Sequence, residues 1–485
     1  MAAFGTLNGP AKLNAVSSLL DKLAQDLESN KLPQNERDAA LEELKIYGRD
    51  PRNSDPIFTR RGIETLTKHA FNNPSTTTSR NALRVLCNAL LLKPETRQIF
   101  VDIVPEAKAC SQLKNDNRDD EFLISRLIFL TTYGTNIDLQ KLIDQHGLAA
   151  SVVGNLARHA ERSSVPRSNG SQADPMEEMA LVETLKLVFN VTQFCKQRVE
   201  SFSAGIPHII TLLRNISPPS AQKPLDPPFA SLINALMNLK FNGKDVEKAF
   251  YPDDEPTGVA DSLVDLLDRS TKAYGDSELE HTVTPLVCVI SMLYEHAPAP
   301  VREAMQSKLL PTDEDRQGVL GQGDNLPARL LRNSTNPLTP ELRNAILHLL
   351  FDMSDKNAEI FVRNVGYGFA SGFLFQNNIP VPEMSKPGDD RGAGAEGAGG
   401  RAFNPITGQF LDRENLPDLP DMTDAEKERE AERLFVLFER IKQLGVMSVQ
   451  NPVEQAVQEG RFQELDDDED DDDEDEKGNS SKTKG

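Results

Sequence analysis

Apolar residues recur along this chain at three- and four-residue intervals, and the strict alternation of a half-buried strand is almost absent. One phrase repeats deep inside the apolar stretches: Leu or Ile, two residues, Leu or Val, one residue, then Asn. It stands as Leu83 to Asn88, Leu185 to Asn190 and Ile233 to Asn238, with degenerate copies at Leu41 to Ile46, Leu127 to Thr132 and Leu286 to Ser291. The sixth residues of these copies, 46, 88, 132, 190, 238 and 291, lie 42, 44, 58, 48 and 53 apart. Such steps suit helical repeats of about 40–47 residues with loop insertions. Ala345 to Met353 continues the series. No such helix can bury its apolar stripe alone, so stacking must supply a continuous core. The pattern predicts an all-α, armadillo- or HEAT-like superhelix over residues 1–379.

Breaks in the pattern predict loops. Ser163 to Pro175, Pro218 to Pro228, Asp253 to Pro256 and Pro311 to Pro327 are rich in Pro, Gly, Ser and Asp. Residues 380–422, with a Gly-Ala run at 392–400, read as a disordered linker. Beyond it, Thr423 and Glu426 form a capping box, and Leu434, Leu437, Phe438, Ile441 and Leu444 follow at helical spacing. An amphipathic helix over 423–447 is therefore expected, reserved for a partner or docked on the body. Residues 448–485 read as a disordered acidic tail, with an unbroken acidic run from Asp466 to Glu476.

Composition narrows the function. The chain has 485 residues and a formal charge of −22, of which twelve acids and three bases lie from Glu464 onward. The remainder is acidic too, so nucleic acid and anionic membrane are not expected partners. No apolar run is long enough to span a bilayer. The four cysteines are far apart without metal or redox spacing, as expected of buried thiols in a reducing, cytoplasmic setting.

Chemistry is hard to find. The seven histidines show no ligand spacing, and no nucleophile elbow, Walker loop or kinase signature is present. The glycine cluster Gly366 to Gly372 follows a helix rather than a strand, so it is expected to be a turn between helices. Neither an enzyme active site, a metal site nor a cofactor is expected. The residues that attract attention lie on one helical face instead. Asn88, Asn190 and Asn238 carry amides that can hydrogen-bond a peptide backbone, or can cap their own helices. Four residues before them stand Arg84, Lys186 and Asn234, and Lys45 and Arg49 form a similar pair in the first repeat. This strip is either a cationic groove for an acidic or carboxylate-ending helix, or surface charge paired with Glu42, Glu43 and Glu183.

At these phrases the sequence resembles the synembryn family of G-protein alpha-subunit exchange factors and chaperones. The likeness is carried by Arg49-Asp50 with Asp55 to Thr59, Leu83 to Asn88, Glu183 to Thr192, Gly366 to Gly368, Asn404 to Gly408, and the segment after Met422-Thr423. The resemblance implies a helical superhelix whose concave face holds the C-terminal helix of an alpha subunit. It implies that Lys45, Arg49, Asn88 and Phe122 grip that helix, and that the helix after the linker contacts the nucleotide-binding domain. The chain is expected to be a cytoplasmic monomer without a cofactor, recruited to the plasma membrane through its partner. Two departures stand out. Lys45 occupies the place of a family arginine and forgoes bidentate geometry. The linker is Gly-Ala-rich where animal members carry phosphorylatable residues among acids, and Ser385 lacks an acid three residues on. The other readings are a generic armadillo-type peptide adaptor, whose grooves usually employ tryptophan, absent here, and a chaperone for basic proteins acting through the acidic tail.

Overall fold

The computed structural model describes residues 7–165, 174–217, 220–380, 404 and 407–414, and the isolated residues 429 and 433. The chain divides into two compact units, Met1–Glu414 and Asn415–Gly485.

Within the first unit every repeated phrase lies on a helix of one stacked series. These are α1 (Gln34–Tyr47), α2 (Thr76–Leu92), α3 (Arg118–Thr131), α4 (Pro175–Phe194), α5 (Phe229–Met237), α6 (Asp276–His296) and α7 (Pro340–Asp352). Each packs on the next. A second layer backs them, including the helices Gly9–Ser29, Arg60–Asn72, Leu148–Ser164, Ile206–Asn215, Gly258–Ala273 and Ala299–Leu309. The packing is between neighbours along the chain, as in a solenoid. No strand occurs among the described residues.

The reason is local. Leu83, Val85, Leu86, Ala89 and Leu90 of α2 are all fully buried, facing the rungs on either side and the backing layer. One buried cluster runs from Val16 to Leu374. Polar caps set where rungs begin. Ser75, Asn117 and Asp174 accept the amides of Thr78, Asp120 and Met176, and a proline at the first turn pre-sets α4 and α7.

Two expectations need revision. The glycine cluster is a turn only at Gly366, whose φ of +85° separates two helices; Tyr367–Gln376 is helical. The segment read as linker over 380–422 is not uniformly so. Residues 407–414 pack on the last repeats: Phe410 is buried, and its amide donates to Arg316 O at 2.9 Å. Arg316 Nη1 in turn donates to Gly408 O at 2.9 Å. The loop from Pro311 to Pro327 is thus a docking platform, built round a buried arginine. The amphipathic helix over 423–447 lies mostly outside the described residues; Arg429 and Arg433 are helical and exposed.

Candidate functional site

Side-chain bonds between rungs fix how the helices are levelled. Thr78 Oγ1 donates to Asp38 at 2.6 Å, an offset of 40 residues between α1 and α2. Arg80 bonds Asp120, also 40 apart, and Cys87 Sγ meets Leu123 O, 36 apart. Between α3 and α4, Arg126 bonds Glu183 and Asn190 bonds Thr132, 57 and 58 apart. The bonds climb both partners together, so the rungs are parallel. These offsets split the expected asparagine ladder into two rows. Asn88 is level with Arg49 on one side and with Phe122 to Arg126 on the other. Asn190 belongs to a later row, with Thr132 before it and Asn238 after it.

The two rows differ in what their polar atoms are doing. Asn190 is 2% exposed; its amide donates to Thr132 Oγ1 at 2.8 Å, and its carbonyl accepts Tyr133 Oη at 3.3 Å. Asn238, just past the end of α5, donates to Phe189 O at 3.1 Å. These amides are spent tying rungs together. Asn88 and Asn234 are half-buried, and their side chains have no hydrogen-bond partner among the described residues. They keep both donor and acceptor for a ligand.

The basic residues sort in the same way. Lys45 pairs with Glu42, Lys186 with Glu183 at 3.1 Å, and Arg84 with Asp119 at 2.7 Å. For Lys45 and Lys186 the acid lies three residues away on the same helix, whereas Arg84 reaches an acid of the next rung. Arg49 alone among the four basic candidates is exposed without an acidic partner among the described residues. It stands two residues beyond α1, after Gly48. Phe122 is half-buried, with the Arg126 guanidinium 5.6 Å from its ring centre. Arg126 went unnoticed in the sequence, although its place one turn after Phe122 brings it to the same face. Also missed was the exposed aromatic pair Tyr133 and Phe194, 6.1 Å apart edge to face at the ends of α3 and α4. Leu434, Leu437, Phe438, Ile441 and Leu444 lie outside the described residues.

Behind Phe122 the backbone of α3 is held by a buried charge cluster. Glu121 Oε1 accepts Thr184 Oγ1 at 2.6 Å and His159 Nε2 at 2.9 Å, and Glu177 accepts His159 Nδ1 at 2.6 Å. Arg162 and Arg118 close on Glu177 from outside. Burial disfavours the charged imidazole, but the two carboxylates outweigh it and push His159 up to about 9. Burial works against Glu177 too, yet His159 and the arginines hold it down at about 2. These groups are fixed by one another. The thiols are equally quiet: burial raises Cys87 to about 12 and Cys110 to about 11. Among the described residues no acidic, histidine or cysteine cluster could hold a metal, and no helix is long and apolar enough to cross a membrane.

The face is presented by stacked parallel helices, and on one row Arg49, Asn88 and Asn234 have side chains without a partner among the described residues. The profile described as guanine nucleotide exchange factor synembryn matches residues 40–461. The chain belongs to the synembryn family. A synembryn-like chaperone of Schizosaccharomyces pombe is 25% identical over 76% of this chain and 70% of its own length. The chaperone Ric-8A of Gallus gallus is 24% identical over 86% of this chain and 85% of its own. Ric-8A of Danio rerio is 24% identical over 83% and 80% respectively. A designed armadillo repeat protein aligns at 13% identity and a TM-score of 0.36, over 59% of this chain and 99% of its own; the solenoid assignment rests on the packing above. Synembryn membership accounts for the phrases at Arg49-Asp50, Leu83 to Asn88 and Asn404 to Gly408 falling within one matched region. The helix Gly9–Ser29 precedes that region.

Proposed function

We propose that this synembryn-family chain is a guanine nucleotide exchange factor and folding chaperone for heterotrimeric G-protein alpha subunits. It takes the subunit's C-terminal helix along the face of α1 to α5, acts without enzymatic chemistry, and works as a cytoplasmic monomer drawn to the plasma membrane by its partner. The observation that supports this best is the unspent row on that face. Arg49 is an exposed cation without a partner among the described residues, and Asn88 and Asn234 keep free amides while their counterparts are consumed by rung-to-rung bonds. A helix that ends in a carboxylate offers what this row lacks: an anion for Arg49 and terminal carbonyls for the two amides. Phe122, with Arg126 over its ring, supplies an apolar contact on the same row.

Exchange follows by linkage. A protein that binds the nucleotide-free subunit more tightly than the GDP-bound form lowers GDP affinity by the same factor. Nanomolar GDP binding corresponds to about 12 kcal/mol. Drawing the C-terminal helix away from the subunit's own sheet loosens the guanine pocket and supplies part of that difference. The same grip on an incompletely folded subunit covers apolar surface until GTP arrives, which is chaperone action. Leu434, Leu437, Phe438, Ile441 and Leu444 form the second contact, on the nucleotide-binding domain.

The test is GDP release from a purified alpha subunit, with this protein and with an Arg49→Glu, Asn88→Ala double variant. Acceleration lost in the variant supports both the activity and the row. Acceleration retained in the variant moves the contact elsewhere. Binding without acceleration leaves the chaperone role alone.

A further inference from the structure

Among the described residues, one lysine is buried, and it lies outside the matched family region. Lys12, on the helix Gly9–Ser29, is only 5% exposed. Its Nζ donates to Asp50 O and to Arg52 O, both at 2.8 Å. Buried lysines are rare because the ammonium must leave water, and such a group persists only where several acceptors receive it. Here the acceptors are carbonyls of the loop that leaves α1 and carries Arg49. A compact ammonium can meet two carbonyls from one atom, whereas a planar guanidinium would need both in its own plane. The position is also favourable for a cation, since it lies just past the C-terminal end of α1.

The loop is held from a second side. Ser54, fully buried, donates its hydroxyl toward Tyr47 O at 3.0 Å and Asp50 O at 3.1 Å. On the solvent side, Arg52 closes on the Asp50 carboxylate at 2.7 Å. Among the described residues Arg49 itself is tied only through its backbone amide, to Ile46 O at 3.3 Å. The residues that follow it are held by Lys12 and Ser54, beside backbone bonds from Asp50 N–H to Tyr47 O and from Ser54 N–H to Pro51 O.

We infer that Lys12 is a positioning residue for the partner site: by holding the Asp50 and Arg52 carbonyls it fixes the loop that aims Arg49 along the binding row. This makes the helix Gly9–Ser29 part of the recognition apparatus. The inference rests on the partner reading proposed above. Lys12 touches no ligand; its effect passes through Arg49. Free to swing, an exposed arginine would lose rotamer and loop freedom on binding, and a loop ordered in advance avoids that loss.

The test is a double-mutant cycle read by binding of a synthetic peptide with the sequence of an alpha subunit's C-terminal helix. Lys12→Met keeps the stem and removes the ammonium. It is expected to weaken binding about tenfold, as Arg49→Ala does, and the Lys12→Met, Arg49→Ala double variant is expected to be no weaker than either single one. Amide exchange at Arg52 and Ser54 should quicken in Lys12→Met. Should Lys12→Met fail to fold, Ser54→Ala loosens the same loop from its other side and carries the same expectation. Additive losses, unchanged exchange in the loop, or full-strength binding by Lys12→Met beside a weakened Arg49→Ala would overturn the inference while leaving the partner row intact. Full-strength binding by Arg49→Ala would overturn the partner row and the inference together.

Discussion

His159 Nε2 lies 2.9 Å from Glu121 Oε1, joining the helix Leu148–Ser164 to the rung that carries Phe122. Both residues are almost fully buried. Because Nδ1 also donates, to Glu177, the imidazole is held as a cation between two carboxylates. Its pKa stands at about 9 in the fold against an ordinary 6.5. A raised pKa means that the stabilisation is complete below about pH 6.5 and fades as pH climbs through 9. Glu177, held at about 2, acts at the other end: its contribution is present above the ordinary 4.5 and is lost as pH falls through 2.

Replacing His159 by Gln leaves Glu121 buried without its cation. The expected cost at pH 7 is about 3 kcal/mol, the usual penalty for breaking a buried ion pair from one side. Melting curves of the wild type and His159→Gln should converge as pH rises from 6.5 to beyond 9. A constant gap across that range would show that the imidazole acts by packing rather than by charge.

The two asparagine rows make opposite predictions. Asn190→Ala removes two bonds from a nearly fully buried side chain that ties α4 to the end of α3, so it should cost about 1–3 kcal/mol of stability. Asn88→Ala removes no bond found in the free protein and should shift stability by less than about 0.5 kcal/mol. Its loss should be confined to partner binding. Thermal melting and alpha-subunit binding, measured on both variants, decide the matter. A destabilised Asn88→Ala would mean that its amide is structural after all.

These contrasts show where the sequence was legible. The Leu-x-x-Leu-x-Asn phrase located the stacked rungs because burial depends on periodicity, which is local. It could not level them. The offsets of 40, 57 and 58 residues arise from insertions of different length between rungs, and these displace Asn190 by more than a turn from the row of Asn88. Nor could it tell a free cation from a paired one. Lys45 and Lys186 find acids three residues away, a pairing visible on the helix itself. Arg84 finds Asp119 on the next rung, 35 residues on, which no local pattern reveals. Lys12 was invisible for the same reason: an isolated lysine on an amphipathic helix reads as solvated surface until the loop 38 residues later folds over it.

The segment after residue 404 offers the last prediction. Gly408 has a φ of +71°, and a Cβ there would stand 2.3 Å from Leu320 Cδ1. Both conditions demand glycine, the first because L side chains crowd the carbonyl in that region and the second because no atom fits. Gly408→Ala should therefore lift the segment off the last repeats, at a cost of about 2 kcal/mol or more. Two amides report on it directly. Leu320 N–H donates to Thr407 O at 3.2 Å, and Phe410 N–H to Arg316 O at 2.9 Å. Both should exchange faster in Gly408→Ala, and so should they in Arg316→Ala, which strips the Gly408, Arg363 and Asn364 carbonyls of their common donor. Unchanged protection in both variants would mean that the segment is held mainly by the buried Phe410 ring, beside Gln409 Nε2, which donates to Gln317 O at 3.2 Å. In that event Phe410→Ala, and not the glycine, would release Glu414, the last residue of the first unit.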